Sequence, residues 1–158
     1  MKKVGSAFLR PPGARSEKEF LARCLQCGQC AQVCIFDCIH MHTGFNFFLS
    51  GTPVINPLEA PCHLCMRCSA ICPSDALHDI PIEDVRMGFA RLDKKKCYTW
   101  KGLIVCRSCF EGCPLKGTAI ELERGEYPVI TDKCTGCGVC EHVCSQSAIE
   151  TIPTRFVE

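Results

Sequence analysis

The sequence predicts a small α+β protein with few regular elements, held together more by bound groups than by a conventional apolar core. Three observations point there. Of 158 residues, 17 are cysteine, far above ordinary usage. Hydrophobic residues make up 47%, but setting the cysteines aside leaves roughly 36%, a thin supply for a core. Sixteen of the cysteines fall into four copies of one motif, the mark of an internal repeat. The same composition excludes other classes. With 18 basic and 17 acidic residues the formal charge is +1, so no single-sign field is available for nucleic acid or a membrane surface. No apolar run approaches the length of a membrane span. The start, Met1 to Arg10, is basic but has neither an apolar stretch nor a twin arginine, so no export signal is read there.

Taken in order, residues 1–23 read as an N-terminal docking arm that ends in a short helix over 16–23. Ser16 stands at its N-cap position and Glu19 three residues on, as in a capping box. The first motif is Cys24-x2-Cys27-x2-Cys30-x3-Cys34. Residues 41–61, with Phe45, Phe47, Phe48, Gly51, Pro53, Pro57 and Pro61, read as an ordered aromatic-rich loop. The second motif is Cys62-x2-Cys65-x2-Cys68-x3-Cys72, followed by Pro73. Residues 76–96 are expected to form a small hairpin around Pro81 and Gly88. The third motif, Cys97-x8-Cys106-x2-Cys109-x3-Cys113, stretches its first spacing and is followed by Pro114. Residues 119–130 alternate around a glycine turn and predict a β-hairpin. The fourth motif is Cys134-x2-Cys137-x2-Cys140-x3-Cys144. The odd cysteine, Cys38, lies four residues after Cys34, where Ala76 and Ala148 lie after Cys72 and Cys144. It reads as a buried small hydrophobe, with a ligand or redox thiol as the other reading.

This spacing is that of bacterial iron–sulfur ligation. Three thiolates at x2 intervals wrap three corners of a [4Fe–4S] cubane through successive turns, which also aim amides at the sulfurs. The fourth cysteine ligates the other cluster of a pair, and a proline after it spares an N–H the chain does not need. A zinc site needs four ligands from two knuckles and has no use for the third cysteine. Eight disulfides would need an oxidising compartment and would leave the repeat unexplained. No C-x2-C is followed by His, which excludes c-type haem attachment. His63 and His142 lie between cysteines and read as neighbours rather than ligands. No carboxylate pair, nucleophile–base pair or phosphate loop stands out, so no small-molecule substrate is expected. Each oxidised cluster with its thiolates carries about −2. Four would turn a formal +1 into roughly −7, so the redox partner is expected to offer a basic docking patch.

The chain also resembles a known family, the four-cluster ferredoxin-type proteins of the NapG/MauM type, found with periplasmic nitrate reductase and methylamine dehydrogenase systems. The resemblance runs roughly from Arg10 to Pro153. It rests on Arg10-Pro11-Pro12-Gly13-Ala14, Glu19-Phe20-Leu21 and Gly51-Thr52-Pro53. Cys97-x4-Gly102-Leu103-x2-Cys106 and Cys134-Thr135-Gly136-Cys137-Gly138-x-Cys140-Glu141 carry it further. It implies a nested pairing. One cluster would take Cys24, Cys27, Cys30 and Cys144, and its mate Cys134, Cys137, Cys140 and Cys34. The inner pair would take Cys62, Cys65, Cys68 and Cys113, then Cys97, Cys106, Cys109 and Cys72. The architecture would be two pseudo-symmetric ferredoxin-like lobes, an outer one of residues 24–40 and 119–152 and an inner one of residues 41–118.

The resemblance further implies an electron conduit between a membrane quinol-oxidising protein and a redox enzyme subunit, without catalysis of its own. An electron-transfer subunit of a cytosolic hydrogenase or formate-type enzyme is the alternative within this class. A zinc-binding or assembly-factor module is the alternative outside it. Family members begin with a twin-arginine signal, which Met1–Arg10 lacks. The expected location is therefore peripheral to the membrane, on the cytoplasmic side by default. The periplasm is the alternative, by co-export or from a longer precursor.

Overall fold

The cysteine motifs fold alike, and their repetition sets the architecture. The structure, a computed structural model, describes residues 9–44 and 49–154. In three motifs the residue before the second cysteine and the residue after it are left-handed. The pairs are Gln26 and Gly28, Leu64 and Met66, and Gly136 and Gly138. Two such reversals curl the chain so that three sulfurs face one side. One four-residue helix then carries the third cysteine of each motif. These helices are α2 (Gln29–Gln32), α3 (Arg67–Ala70), α4 (Ser108–Glu111) and α5 (Val139–His142). Each is too short to persist without packing. A further left-handed residue follows the fourth cysteine at Asp37, Asp75, Ser147 and Gly117.

Ahead of these, α1 (Glu17–Arg23) begins after Ser16, as expected. The Ser16 hydroxyl bonds the Glu19 carboxylate at 2.8 Å rather than a backbone amide. Three antiparallel ribbons connect the motifs: β1 (His40–Met41) with β2 (Pro53–Val54), β3 (Gly88–Leu92) with β6 (Ile149–Pro153), and β4 (Ile120–Glu123) with β5 (Tyr127–Ile130). The β4–β5 hairpin lies where its alternation places it. The hairpin expected over 76–96 does not form. Its second part is β3, which pairs with the end of the chain from Gly88↔Pro153 to Leu92↔Ile149. Its first part holds only a 3₁₀ turn, Ile82–Asp84. Pro81 and Gly88 break local pairing, and the apolar strand at 149–153 satisfies β3 instead.

The described part of the N-terminal arm is built into the core. Leu9 and Phe20 are fully buried, and Leu9 exchanges backbone hydrogen bonds with Ile55. Arg10 is also buried. Its guanidinium donates to both Glu17 carboxylate oxygens (3.0 and 2.6 Å), the Thr52 hydroxyl and the Pro53 carbonyl (both 2.8 Å), over the Phe20 ring. Breaking a buried pair of this kind costs about 3–5 kcal/mol. Phe45, Phe47 and Phe48 lie outside the described residues. Among the described residues no helix is long and apolar enough to cross a membrane.

Two apolar clusters organise the rest, and they cut across the expected outer and inner lobes. The first gathers residues of motifs one and two with Leu77, Val85 and Met87, and takes in Cys137 and Val139 of motif four. The second gathers motifs three and four with Ala90, Ile120 and Ile149. Helices α2 and α3 pack together, as do α4 and α5. Motifs adjacent in sequence are therefore adjacent in space.

Candidate metal centre

Each motif contributes three thiols to a cradle and takes its fourth from its neighbour. The first cradle is lined by Cys24, Cys27, Cys30 and Cys72. Cys62, Cys65 and Cys68 line the second with Cys34. The fourth joins Cys134, Cys137 and Cys140 to Cys113. In the third, Cys109 feels the charges of Cys97, Cys144 and Cys106. The nested pairing is thereby corrected: Cys72, not Cys144, stands with the first three cysteines, and Cys34 with the second three. The reason is the helix contact. The fourth cysteine follows the four-residue helix of its motif, and that helix packs on the helix of the next motif, not of a distant one.

The cradles suit a polynuclear cluster. Among the described residues no three His, Cys, Asp or Glu side chains converge on a single-ion position. The thiols surround cavities instead, and a cluster holds its thiolates further apart than one ion does. Backbone amides point at the sulfurs: Leu64 N–H to Cys62, Leu77 to Cys72 and Ala90 to Cys134, each at 3.4 Å, and Ala148 to Cys144 at 3.3 Å. Such donors stabilise bound thiolate and set cluster potential. Burial pushes the free thiols up, to about 11 at Cys30, Cys109 and Cys137 and about 12 at Cys68. At Cys72 burial also acts upward. The amides of Leu77, Ser74 and Ala76 with the Ser74 hydroxyl outweigh it, and the thiol is lowered.

The four cradles form a series. The packing of α2 on α3 joins first to second, a backbone hydrogen bond between Cys62 and Cys137 joins second to fourth, and the packing of α5 on α4 joins fourth to third. The middle joint is thus hydrogen-bonded backbone to backbone, Cys62 N–H donating to the Cys137 carbonyl at 3.0 Å. His142 Nδ1 donates to the Pro57 carbonyl at 3.1 Å beside it. His63 stacks on Phe36 at 4.2 Å between centroids. Both histidines have packing roles at the rims.

The stretched third motif closes by a device the spacing does not announce. Buried Thr99 accepts from Cys106 N–H at 2.8 Å, and its hydroxyl donates to the Cys106 carbonyl at 3.1 Å. This returns Cys106 to the neighbourhood of Cys97 after a bulge. Trp100 supports the loop by donating to the Pro128 carbonyl at 3.0 Å.

Cys38 is buried, but not among apolar groups alone. Its sulfur is 3.4 Å from that of Cys34, and it hydrogen-bonds Cys62 as well. Bonding to Cys62, together with burial, drives the Cys38 thiol far up, while the same bond lowers Cys62. Burial and these contacts therefore favour the protonated Cys38 thiol, which lies against the Cys34 thiol of the second cradle. Its sequence position, in a slot that holds alanine elsewhere, carried no sign of this. A separate cleft of about 580 Å³ lies away from the cysteines, between Arg10, Arg15, Arg86 and His78. Its arginines are engaged, Arg10 with Glu17, Arg15 with Asp75, and Arg86 with the Glu83 and Val85 carbonyls.

Comparison with known proteins agrees with this chemistry. A family model described as a 4Fe-4S dicluster domain matches residues 89–145, which hold motifs three and four together. The chain is 41% identical over 168 residues to the ferredoxin-type protein NapG of Escherichia coli, covering 95% of this chain and 72% of the relative. It is 39% identical over 165 residues to the methylamine utilization ferredoxin-type protein MauM of Paracoccus denitrificans, covering 95% and 73%. A MauM of Methylorubrum extorquens is 40% identical over 169 residues, covering 98% and 76%.

Proposed function

The chain belongs to the NapG/MauM family of ferredoxin-type iron–sulfur electron-transfer proteins, and from that premise we propose that it carries four [4Fe–4S] clusters in series. They relay electrons between a membrane quinol-oxidising protein and a redox enzyme subunit. The exchange of fourth cysteines between neighbouring motifs supports this reading best, because it completes four tetrads from 16 cysteines and leaves Cys38 over. A bound cluster supplies one-electron chemistry, at a potential tuned by sulfur hydrogen bonds, charge and exposure.

The chain's own residues do the rest. The left-handed turns at Gln26, Leu64 and Gly136 hold three thiolates to one side. Leu64, Leu77, Ala90 and Ala148 donate amides to sulfur. Ile120, Val139 and Ile149 keep water from the inner cradles. Two ferredoxin-like units follow, one of motifs one and two and one of motifs three and four. No residue is assigned a catalytic role. The location proposed is peripheral, by protein–protein contact at the cytoplasmic face, with the periplasmic face as the alternative outcome of fractionation and external proteolysis.

Iron and acid-labile sulfide on anaerobically prepared protein test the count. Near 16 irons per chain supports it; zinc, or about 8 irons, sinks it. Cys72→Ser and Cys144→Ser then test the pairing. The first should empty the cradle of Cys24 and the second that of Cys97, read by the loss of distinct signals in electron paramagnetic resonance. Loss of the Cys24-cradle signal in Cys144→Ser would restore the nested arrangement.

A further inference from the structure

The third motif presents two kinds of exposed side chain side by side. Leu103, Ile104 and Val105 are 59, 58 and 55% exposed, three consecutive apolar residues directly before Cys106. Around them stand Lys94, Lys95, Lys96, Lys101 and Arg107, all exposed. The one acid within this stretch, Asp93, lies 4.0 Å from Lys96. Arg107 donates to the Gly125 carbonyl at 2.7 Å, which brings up the hairpin turn with Glu123, Arg124 and Glu126. Basic residues still outnumber acidic ones. Lys94 is pinned over the Trp100 ring, 3.6 Å from its centroid. Lys95 and Lys101 are in no side-chain ion pair among the described residues.

A contiguous exposed apolar patch rimmed by polar residues marks an interaction surface. The rim charges here are predominantly positive, although the chain as a whole is nearly neutral and each loaded cluster adds about −2. The patch runs directly into Cys106, a thiol of the third cradle, which is one end of the series. At the other end, the exposed apolar residues beside the first cradle, Leu25 and Ile71, are far apart in sequence rather than consecutive, and the nearby Arg23 is paired with Asp75 at 3.5 Å.

We propose that Leu103–Val105 with Lys94, Lys95, Lys101 and Arg107 is the electron port of the third cradle, where a redox protein with an acidic rim around an apolar spot docks. This rests on the four-cluster reading above. It reverses the expectation of a basic partner, which followed from total charge: docking senses charge within about a Debye length, roughly 10 Å at 0.1 M salt, and within that range this face is basic. One electron leaves the reduced protein for each acceptor reduced, and no bond or proton moves.

The test uses the anaerobic holoprotein, reduced with dithionite, freed of it, and mixed in a stopped-flow cell with plastocyanin, an acidic one-electron acceptor, or cytochrome c, a basic one. Lys95→Glu/Lys101→Glu is compared with Lys18→Glu/Arg67→Glu, an equal charge change on α1 and α3, in the half of the chain that holds motifs one and two. The port reversal should slow transfer to plastocyanin about tenfold and speed transfer to cytochrome c, with the distant reversal within about twofold of wild type. Ile104→Ser should slow plastocyanin without altering its salt dependence. Equal effects of the two reversals, or an Ile104→Ser protein as fast as wild type, would overturn the port while bleaching by dithionite stays intact. A colourless protein that does not bleach would fail the cluster reading itself, and the port with it.

Discussion

The third and fourth cradles share one apolar cluster, yet they are built in opposite ways. In the fourth, Cys134, Cys137 and Cys140 are all buried. A side chain on Gly136 would overlap the Gly88 backbone, and one on Gly138 would overlap Pro57. In the third, Cys106 is half-exposed, a hydroxyl clasp replaces the tight turn, and Gly102 has open space where a side chain would go. Motif one uses Gln26 and motif two uses Leu64 and Met66 in the same left-handed conformation that motif four gives to glycine. Glycine in motif four is therefore not demanded by the turn alone. It marks where another strand of backbone comes within contact distance, which is what an interior cradle requires.

The sharpest way to break this comparison is to remove one ligand from each cradle. Cys106→Ser should cost about a quarter of the iron and leave a soluble protein. Cys140→Ser should cost more than that and most of the soluble yield, because metal binding and folding are coupled at a buried site. Iron assays and yields of the two variants decide it, and equal losses would erase the distinction. Next in size is glycine replacement. Gly136→Ala adds backbone overlap to left-handed strain and should cost about 3 kcal/mol or more, against about 1 kcal/mol for Gly102→Ala in open space. Half-lives for loss of visible absorption at a fixed temperature rank them.

Thr99→Val should cost about 1–3 kcal/mol, since it leaves the Cys106 amide without its partner. Iron lost on dialysis should then come from the third cradle, seen as the first spectral component to disappear. The smallest effect sharpens the comparison at a single slot: Cys38 stands behind Cys34 where Ala148 stands behind Cys144. Donation by the Cys38 thiol favours the more negative reduced state. Cys38→Ala should therefore lower one cluster potential by roughly 20–40 mV, the equivalent of a weak hydrogen bond. A potentiometric titration with no component moving would refute it.

Much of the site was legible because ligation chemistry leaves its spacing in the chain. Twelve of the 16 motif cysteines line three cavities in sets of four, Cys109 feels Cys97, Cys106 and Cys144, and the 119–130 hairpin forms where its alternation predicts. Pairing was not legible. The motifs are near copies, so each fourth cysteine fits every triad equally well. The choice is made by contacts between helices only four residues long, which leave no periodicity. The β3–β6 ribbon was hidden for a related reason. Its strands are 57 residues or more apart, and Pro81 and Gly88 drew attention to a local turn. Total charge averages over the whole surface, so the exposed Lys94, Lys95, Lys96, Lys101 and Arg107 around the third motif leave no mark on it.

Exchange between neighbouring motifs also sets a timetable for biosynthesis. Once Cys72 has left the ribosome, every thiol of the first two cradles is available, and iron loading can begin on a nascent chain. The third cradle stays incomplete until Cys144 emerges, roughly seventy residues later, a delay on the order of several seconds at ordinary elongation rates. Under a nested pairing the outer clusters would have had to wait for the end of translation. With neighbours paired, half of the protein can be metallated while the other half is still being made. A stalled or prematurely terminated chain would then carry away iron rather than leave eight bare thiols to oxidise.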